Sequence, residues 1–353
     1  MIKEKSQRNI IYPKVGLKDV LRAFWQGIKP QKWLLFFLAF SIISANIVAT
    51  MSPILYKQFF DIISAGGNKT TIVSQLLKII IQIAFLNGLV WLFYRLATVL
   101  NNAYQTGTIA RLKQQAYDYL IEHSYSFFSN NFTGSLVQKV NRFARAFERL
   151  TDRLTWDLLP LLVRMTSIFI IVLFVNKWIA LVLFIWAVIF LTFNIVFSRW
   201  KLKYDIKVAE IDSKATGYLA DTITNQNAIQ LFDSFKDESQ GYKNVTNEQA
   251  RSTKFTWNLD AVVEAGQSFL SIAIEFILLF FAIRYWQEGL ITIGVFVLLQ
   301  MYLINLLNQL WGFTRMVRDL YQGYADAKEM VEILLLSHEI KDKPSAIELS
   351  ADK

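Results

Sequence analysis

FFSNNFTGSLVQKVNRFARAFERL, Phe127–Leu150, is a basic, soluble-looking stretch that carries Lys139, Arg142, Arg145, Arg149 and a Thr133-Gly134 pair. Its surroundings decide its reading. About 20 helical residues are needed to cross a hydrocarbon core about 30 Å thick, and six apolar runs reach that length. Two precede the stretch, approximately Trp33–Tyr56 and Ile72–Leu96. Four follow it: Leu154–Val175, Trp178–Phe197, Ala261–Ile283 and Ile291–Phe313. Hydrophobic residues fill 54% of the 353 positions, 28 of them are Phe and the mean hydropathy is +0.33. This composition places the chain in the membrane class. The first run is longer than a signal-peptide core, contains Pro53 and lacks a small-residue cleavage site, so it reads as a retained span.

Charge orients the spans, because cytoplasmic segments retain Lys and Arg. Of the 37 Lys and Arg residues, 31 fall in the N-terminal segment, in the two long connections Arg95–Arg153 and Arg199–Lys254, and after the sixth run. Lys57, Lys69, Lys78, Lys177 and Arg284 lie on the other side or at its margins, and Arg164 lies inside the third span. Both termini and both long connections are therefore expected in the cytoplasm. The net charge of +9 is accounted for by the inner membrane surface and calls for no nucleic acid. Ahead of the first span, Leu17, Val20, Leu21, Phe24, Trp25 and Ile28 recur at helical spacing. Such a stripe predicts an amphipathic helix in the headgroup layer, turned into the membrane at Pro30.

The long connections, of about 60 residues each by these run boundaries, are unusual lengths for structureless loops. Tyr94–Ser124 has no Pro and only Gly107, and Ser198–Ala215 is likewise uninterrupted, so both read as helix continued out of the membrane. Some 25 such residues reach nearly 40 Å at about 1.5 Å per residue. The helical signal breaks at SFFSNNFTG and at Thr216-Gly217. There the sequence predicts a short transverse helix over Gly134–Asn141 and a second within YLADTITNQNAIQLFDSF, closing two hairpins.

Taken together, the elbow stripe leading into KPQKW (Lys29–Trp33), six spans with two long hairpins, the Phe127–Leu150 stretch and GYLADTITNQNAIQLFDSFKDE (Gly217–Glu238) resemble the transmembrane domain of ATP-binding-cassette (ABC) exporters. In that family the first hairpin carries Phe-Phe, then Thr-Gly, an acid and Leu; Phe127, Phe128, Thr133, Gly134 and Leu136 match, with Ser135 where an acid is usual. Leu219, Asp221, Ile229, Phe232 and Asp237 or Glu238 match the second. DLYQGYADAKEMVEILLLSHEIKDKPSA (Asp319–Ala346) resembles the extension that leads to the nucleotide-binding domain. The resemblance implies an all-α membrane protein with the type 1 (type IV) exporter fold: six transmembrane helices with long cytoplasmic helical extensions, domain-swapped in a dimer. It divides the chain into residues 1–32 with the elbow helix, 33–313 as the six-span domain and 314–353 as extension and linker. It also implies a multi-pass protein of the bacterial inner (plasma) membrane. Coupling to an ATPase domain would fall on Thr133, Gly134, Ser135, Leu136 and Val137 at one tip and Gly217, Tyr218, Leu219, Asp221 and Thr222 at the other.

No nucleotide site is legible in this chain. A phosphate loop needs close-approaching Gly residues and a Lys, as in G-x-x-x-x-G-K-[ST], and no Gly-Lys pair occurs; the nearest Gly cluster, Gly66-Gly67, falls in an extracytoplasmic turn. Nor is there a G-x-S-x-G or H-E-x-x-H motif. The absence of Cys excludes disulfides and thiolate chemistry. His123 and His338 are far apart in sequence and sit in no ligand-spaced cluster, so no metal site is expected. No cofactor is expected on this chain: ATP and Mg would belong to an ATPase domain that is a separate subunit, or was lost or omitted after Lys353. The expected partners are the lipid bilayer, that ATPase domain, a second transmembrane half and a transported small molecule, lipid or peptide. An ATP-independent carrier or channel, and an exporter remnant, are the alternative readings.

Polar residues within a bilayer face protein or water, because exposing them to lipid costs several kcal/mol. Glu264, Ser268, Ser271 and Glu275 share one face of the fifth span; Asn305 and Asn308 share one of the sixth; Arg164 lies in the third. These faces are expected either to line a translocation pathway or to join helices, for instance through an Arg164–Glu275 ion pair.

Overall fold

The computed structural model describes residues 12–340; the first 11 residues of the N-terminal segment and the linker residues 341–353 lie outside them. All regular structure among the described residues is helical. The elbow stripe forms α1 (Leu17–Ile28), and one 3-10 turn, Lys29–Gln31, joins it through Pro30 to α2 (Lys32–Ala65). Then come α3 (Lys69–Ile121), α4 (Tyr125–Asn130) and α5 (Thr133–Asp152), which continues through a π-helical turn, Arg153–Leu158, into α6 (Leu159–Val175). After them follow α7 (Lys177–Thr224), α8 (Gln226–Leu231), α9 (Phe235–Gln287), α10 (Ile293–Trp311) and α11 (Phe313–Leu334).

Six stretches of 42 to 53 residues are long and apolar enough to cross a membrane. Since about 20 residues suffice, more than half of each helix is left to extend beyond an apolar core. Continuity has a physical cause: lipid supplies no hydrogen bonds, so every backbone donor must be satisfied within its own helix. The interruptions are accordingly placed at residues that satisfy the ends. Asn176, alone between α6 and α7, accepts the Trp178 and Ile179 amides at 2.9 and 3.2 Å, and Asn68 accepts the Thr70 amide at 3.1 Å. Gly66 and Gly67 turn α2 into α3 with φ of 69° and 131°, a region that disfavours a Cβ.

By its internal packing the chain forms two units. Among the described residues the first comprises 12–62, 66–167 and 315–340; the second comprises Ile63–Ala65 and Ile168–Thr314. In the first, α1 lies against α3, because Gly27 leaves room for Leu112: a Cβ there would come within 2.8 Å of the Leu112 side chain. The Arg111 Nε donates to the Gly27 carbonyl at 2.8 Å and fixes the contact. The α1 stripe divides between surroundings. Val20 and Phe24 are buried, Phe24 stacking on Phe143 and meeting Phe147 edge-on, while Leu17, Leu21 and Trp25 are more than half exposed. In the second unit α7 and α9 pack along each other and α10 lies on α9. Gly266 meets the Phe193 ring, and the Trp186 indole donates to the Leu270 carbonyl at 2.9 Å.

Replacing Gly27 by Val should lift α1 from α3 at a cost of about 1–3 kcal/mol. Faster proteolysis within residues 14–32 of the purified protein is the expected readout, and unchanged protection would show that α1 is held elsewhere.

Candidate functional site

The first hairpin ends otherwise than its sequence predicts. The short helix is α4, Tyr125–Asn130, and Gly134–Asn141 is not a transverse helix but the first turns of the long α5. Phe127 explains the shift: it is buried, stacked on the His123 ring at 4.2 Å, so the Phe-Phe pair belongs inside the short helix. Ser124 caps α4 by accepting the Phe127 amide, and Asn131 closes it by donating to the Phe127 carbonyl. Thr133 and Gly134, read as a turn, open α5; Gly134 leaves room for the ring of Phe132, which a Cβ would meet at 2.8 Å. Of the named tip residues, Leu136 is 4% exposed and belongs to the core, whereas Thr133, Gly134 and Val137 face outward and Ser135 is half-buried. The largest apolar surfaces at this tip are Tyr125 and Phe132, both more than 80% exposed and missed in the sequence.

At the second hairpin the short helix lies within the stretch 218–235, as expected, but the break expected at Thr216-Gly217 does not occur. Helix α7 runs through Gly217 without interruption to Thr224, and the short helix is α8, Gln226–Leu231. Gly217, Tyr218, Leu219, Asp221 and Thr222 are thus the last turns of α7. Tyr218 donates to Glu238 Oε2 at 2.9 Å across the hairpin and lies over Gly241, where any Cβ would strike its hydroxyl. That hydrogen bond raises the Tyr218 pKa above its ordinary value. Leu219 and Asp221 are exposed, as are Leu231 and Phe232 beyond them.

Arg142 and Arg149 of the opening stretch, and Arg153 just beyond it, are paired, whereas Arg145 is exposed. Arg142 meets Glu329 at 2.6 Å, Arg149 meets Asp326 at 3.1 Å, and Arg153 meets both Asp319 at 2.7 Å and Asp157 at 2.8 Å. These rungs tie α5 to α11, and Gly323 lets the two helices close over Leu150. The complementary stripes 142/149/153 and 319/326/329 were the available signal. Below α11 the chain returns to the first tip: the Tyr119 hydroxyl donates to the Leu336 carbonyl at 2.6 Å, and Ser124 bonds Glu339. His338 Nε2 lies 3.1 Å from the Tyr119 carbonyl and its Nδ1 3.6 Å from Glu122. The two histidines, expected apart, meet with ring centroids 4.6 Å apart. Among the described residues no group of three or more His, Cys, Asp or Glu side chains is arranged to hold a metal ion.

Within the apolar segments, the two residues named as an ion pair are each engaged in their own unit. Arg164 donates to Asn46 at 2.6 Å and to the Tyr94 hydroxyl at 3.2 Å, while Asn46, fully buried, donates to the Ile42 carbonyl. Glu275 accepts from Gln300 at 2.7 Å and is half-buried. The face drawn through Glu264, Ser268, Ser271 and Glu275 is rotated from the buried one. Ser271 is buried and donates to the Gln267 carbonyl, Ser268 is half-buried, and Glu264 is exposed. The buried polar centre of the second unit is instead Asn194, which accepts from Gln267 and, at 2.8 Å, from Thr314. Asn305 donates to the Met301 carbonyl within its helix, and Asn308 is exposed. Asn46 and Asn194 were detectable by the same rule that found Arg164, a strongly polar side chain in an apolar run.

Residues 35–310 match the family described as the ABC transporter transmembrane region. Among curated proteins the chain is 20% identical to the "ATM1-type heavy metal exporter" of Novosphingobium aromaticivorans, over 83% of this chain and 48% of that protein. It is 21% identical to the mitochondrial "Iron-sulfur clusters transporter ATM1" of Gibberella zeae, over 96% of this chain and 49% of that protein. The chain thus spans about half the length of these relatives. A solved bacterial Atm1-family ABC exporter with ATP bound shares the fold, with a TM-score of 0.71 at 17% identity, covering 90% of this chain and 56% of that one.

Two consequences of this geometry are measurable. Reversing Arg149 to Asp should lower the melting temperature, and adding Asp326→Arg should restore part of the loss, with a coupling of about 0.2–1 kcal/mol for a partly exposed pair; strict additivity would show the rung to be inert. His123 has its pKa lowered by burial first and by His338 second, against the pull of Glu339 and Glu122. The native state therefore binds fewer protons there than the unfolded chain does. Its stability contribution is intact above the ordinary value of 6.5 and falls as pH drops below that value toward the lowered one. Relative to the intrinsic exchange rate at each pH, the protection of residues 335–340 should fall between about pH 7 and 5 in the wild type, and lose that dependence in His123→Phe.

Proposed function

Because the chain belongs to the ABC transporter transmembrane-region family, we propose that it is the membrane-spanning half of an ATP-driven exporter. Two such halves enclose the pathway, and motion of partner ATPase domains switches it between inward-open and outward-open states. The observation that carries this reading is the pair of short helices, α4 and α8, each ending a helical hairpin and each flanked by exposed large apolar side chains: Tyr125 and Phe132 at one, Leu231 and Phe232 at the other. Such surfaces on polar hairpin ends, away from the apolar windows, suit insertion into grooves of a second protein. Thr133, Gly134, Ser135 and Val137 border the first, and Gly217, Tyr218, Leu219, Asp221 and Thr222 the second. Leu136 supports the tip from within.

ATP and Mg2+ are bound by the partner ATPase domain; this chain offers no Gly-Lys pair to a phosphate. Its contribution is mechanical. Helices α3, α7 and α9, of 53, 48 and 53 residues, act as stiff levers between tip and membrane, because a distant hydrolysis can reach the pathway only as a movement of packed elements. Both termini and both tips lie on the cytoplasmic face of the inner membrane, where the positive charge is concentrated. The grouping of α7 with α9 in the second unit, apart from the first, supports exchange of this hairpin between the two halves. The exposed or half-exposed polar positions Glu264, Ser268, Glu275, Asn305 and Asn308 face the pathway; Arg164 joins helices within its own unit, and Ser271 is bonded within its own helix. The cargo is a small molecule, lipid or peptide; the heavy-metal and iron–sulfur designations of the relatives make metal-containing species the first cargoes to assay.

Affinity purification of the tagged chain from its native membranes should recover an ATP-binding-cassette protein. Tyr125→Asp combined with Phe132→Asp should reduce that recovery about tenfold, the scale of one lost interface anchor, while the helical circular dichroism stays unchanged. Recovery of a stable complex without a cassette protein, in wild type as in variant, would sink the proposal.

A further inference from the structure

A large cavity lies among the described residues, apart from both hairpin tips. It measures about 1160 Å³ and lies in the first unit under the outer edge of α1, walled by Leu21, Trp25, Tyr104, Phe147, Leu320 and Tyr324 among others. Its walls are almost wholly apolar, and Arg22 is the one charged residue in them. Arg22 is exposed, and no hydrogen bond or ion pair engages it among the described residues, in contrast to Arg142, Arg149 and Arg153 nearby on α5 and the turn after it. A second groove of about 290 Å³ shares Leu35, Leu154 and Thr155 with it and runs along α2 and α6 to Ile42 and Leu162. From Leu35 to Ile42 is two turns of helix, about 10 Å, leading into the first apolar window. The result is one continuous greasy track with an unpaired guanidinium at its polar end.

We propose that this track is a binding site for a single anionic phospholipid of the adjacent leaflet, with its phosphate on Arg22 and an acyl chain laid past Trp25 and Leu35 toward Leu162. The chemistry selects the occupant. A peptide or a second helix would bring backbone polar groups into walls that offer almost no partners for them, whereas an acyl chain brings none. A neutral apolar molecule would leave the Arg22 charge unanswered, whereas a phosphate accepts two parallel bonds from a guanidinium. The position is that of a lipid: α1 ends at Pro30 where the chain turns into its first apolar helix, and Leu17, Leu21 and Trp25 on its exposed side give the lipid a continuous apolar approach. A lipid held there packs α1, α5 and α11 against one another and so sets how firmly the elbow is joined to the helix that leads out of the sixth span.

Native mass spectrometry of the detergent-purified chain, titrated with dioleoyl phosphatidylglycerol, dioleoyl phosphatidylcholine or free oleate, tests the site independently of transport. The expected result is one phosphatidylglycerol retained per chain, about tenfold more tightly than phosphatidylcholine, as one charge-assisted contact provides. Arg22→Ala should bring phosphatidylglycerol down to the phosphatidylcholine level and Arg22→Lys should keep most of the preference. Leu21→Glu should abolish retention of both. Both positions are exposed, so the helical circular dichroism should remain that of the wild type. Equal retention of the two phospholipids with no response to Arg22→Ala overturns the proposal. Oleate held as tightly as phosphatidylglycerol would assign the site to free carboxylate amphiphiles, and a Leu21→Glu effect confined to oligomeric mass would assign the cavity to a second copy of the chain; either result also overturns it.

Discussion

The pairing of α5 with α11 is the interaction on which the first unit depends. Three rungs join them, Arg142–Glu329, Arg149–Asp326 and Arg153–Asp319, all partly solvated. Each such pair is worth only about 0.2–1 kcal/mol, so their importance is geometric. They fix which face of α11 meets α5, and once that face is fixed Gly323 falls opposite Leu150 and Val331, Met330 and Ile333 enter the core with Phe143 and Phe147. The apolar contacts then supply most of the free energy, at about 1.5–3 kcal/mol for a fully buried large side chain. A basic helix between apolar segments is thus not misplaced; Arg142 and Arg149 are answered by the helix that follows the last apolar segment.

Burial at the first tip follows from the same brace. Because α11 is held to α5, the chain beyond it arrives at the end of α3, where Tyr119 holds the Leu336 carbonyl and His338 enters between Tyr119 and His123. Phe127 closes the group from α4. An element with six residues cannot be stable alone, so α4 exists because Phe127 anchors it in this cluster and Ser124 caps it.

Span number, the elbow stripe and the helical nature of the long connections were legible because each rests on a periodicity or a length, and these properties belong to a segment by itself. The first tip helix was displaced and the break at Gly217 did not occur because Gly and Ser-Asn clusters mark turns only where the flanking helix has no reason to continue. Gly217 lies inside α7, where its cost of about 1 kcal/mol is outweighed by the cross-hairpin contacts of Tyr218 and Glu238. Thr133-Gly134 falls in a first helical turn, a place that tolerates both. Partners were less legible still. Whether Arg164 meets Glu275 or Asn46 depends on the rotation of each helix about its axis, and a rotation of one residue, about 100° for 3.6 residues per turn, separates Glu264 from the buried positions Val263 and Gln267.

That rotation has a consequence for how the membrane segments divide their polar residues. Asn46, Asn194 and Gln267 are buried and bonded, and Asn46 and Asn194 each also satisfy a backbone carbonyl four residues earlier in their own helix. Moving any of these side chains to a ligand would break the bonds they make between helices, at about 0.5–1.5 kcal/mol each. Glu264, Asn308 and the open side of Glu275 carry no such debt. The buried amides therefore hold helices together while the exposed carboxylates and Asn308 remain free to face a changing environment. The proposed alternating access would need that separation, because a group serving both purposes would have to break the fold each time the pathway moved.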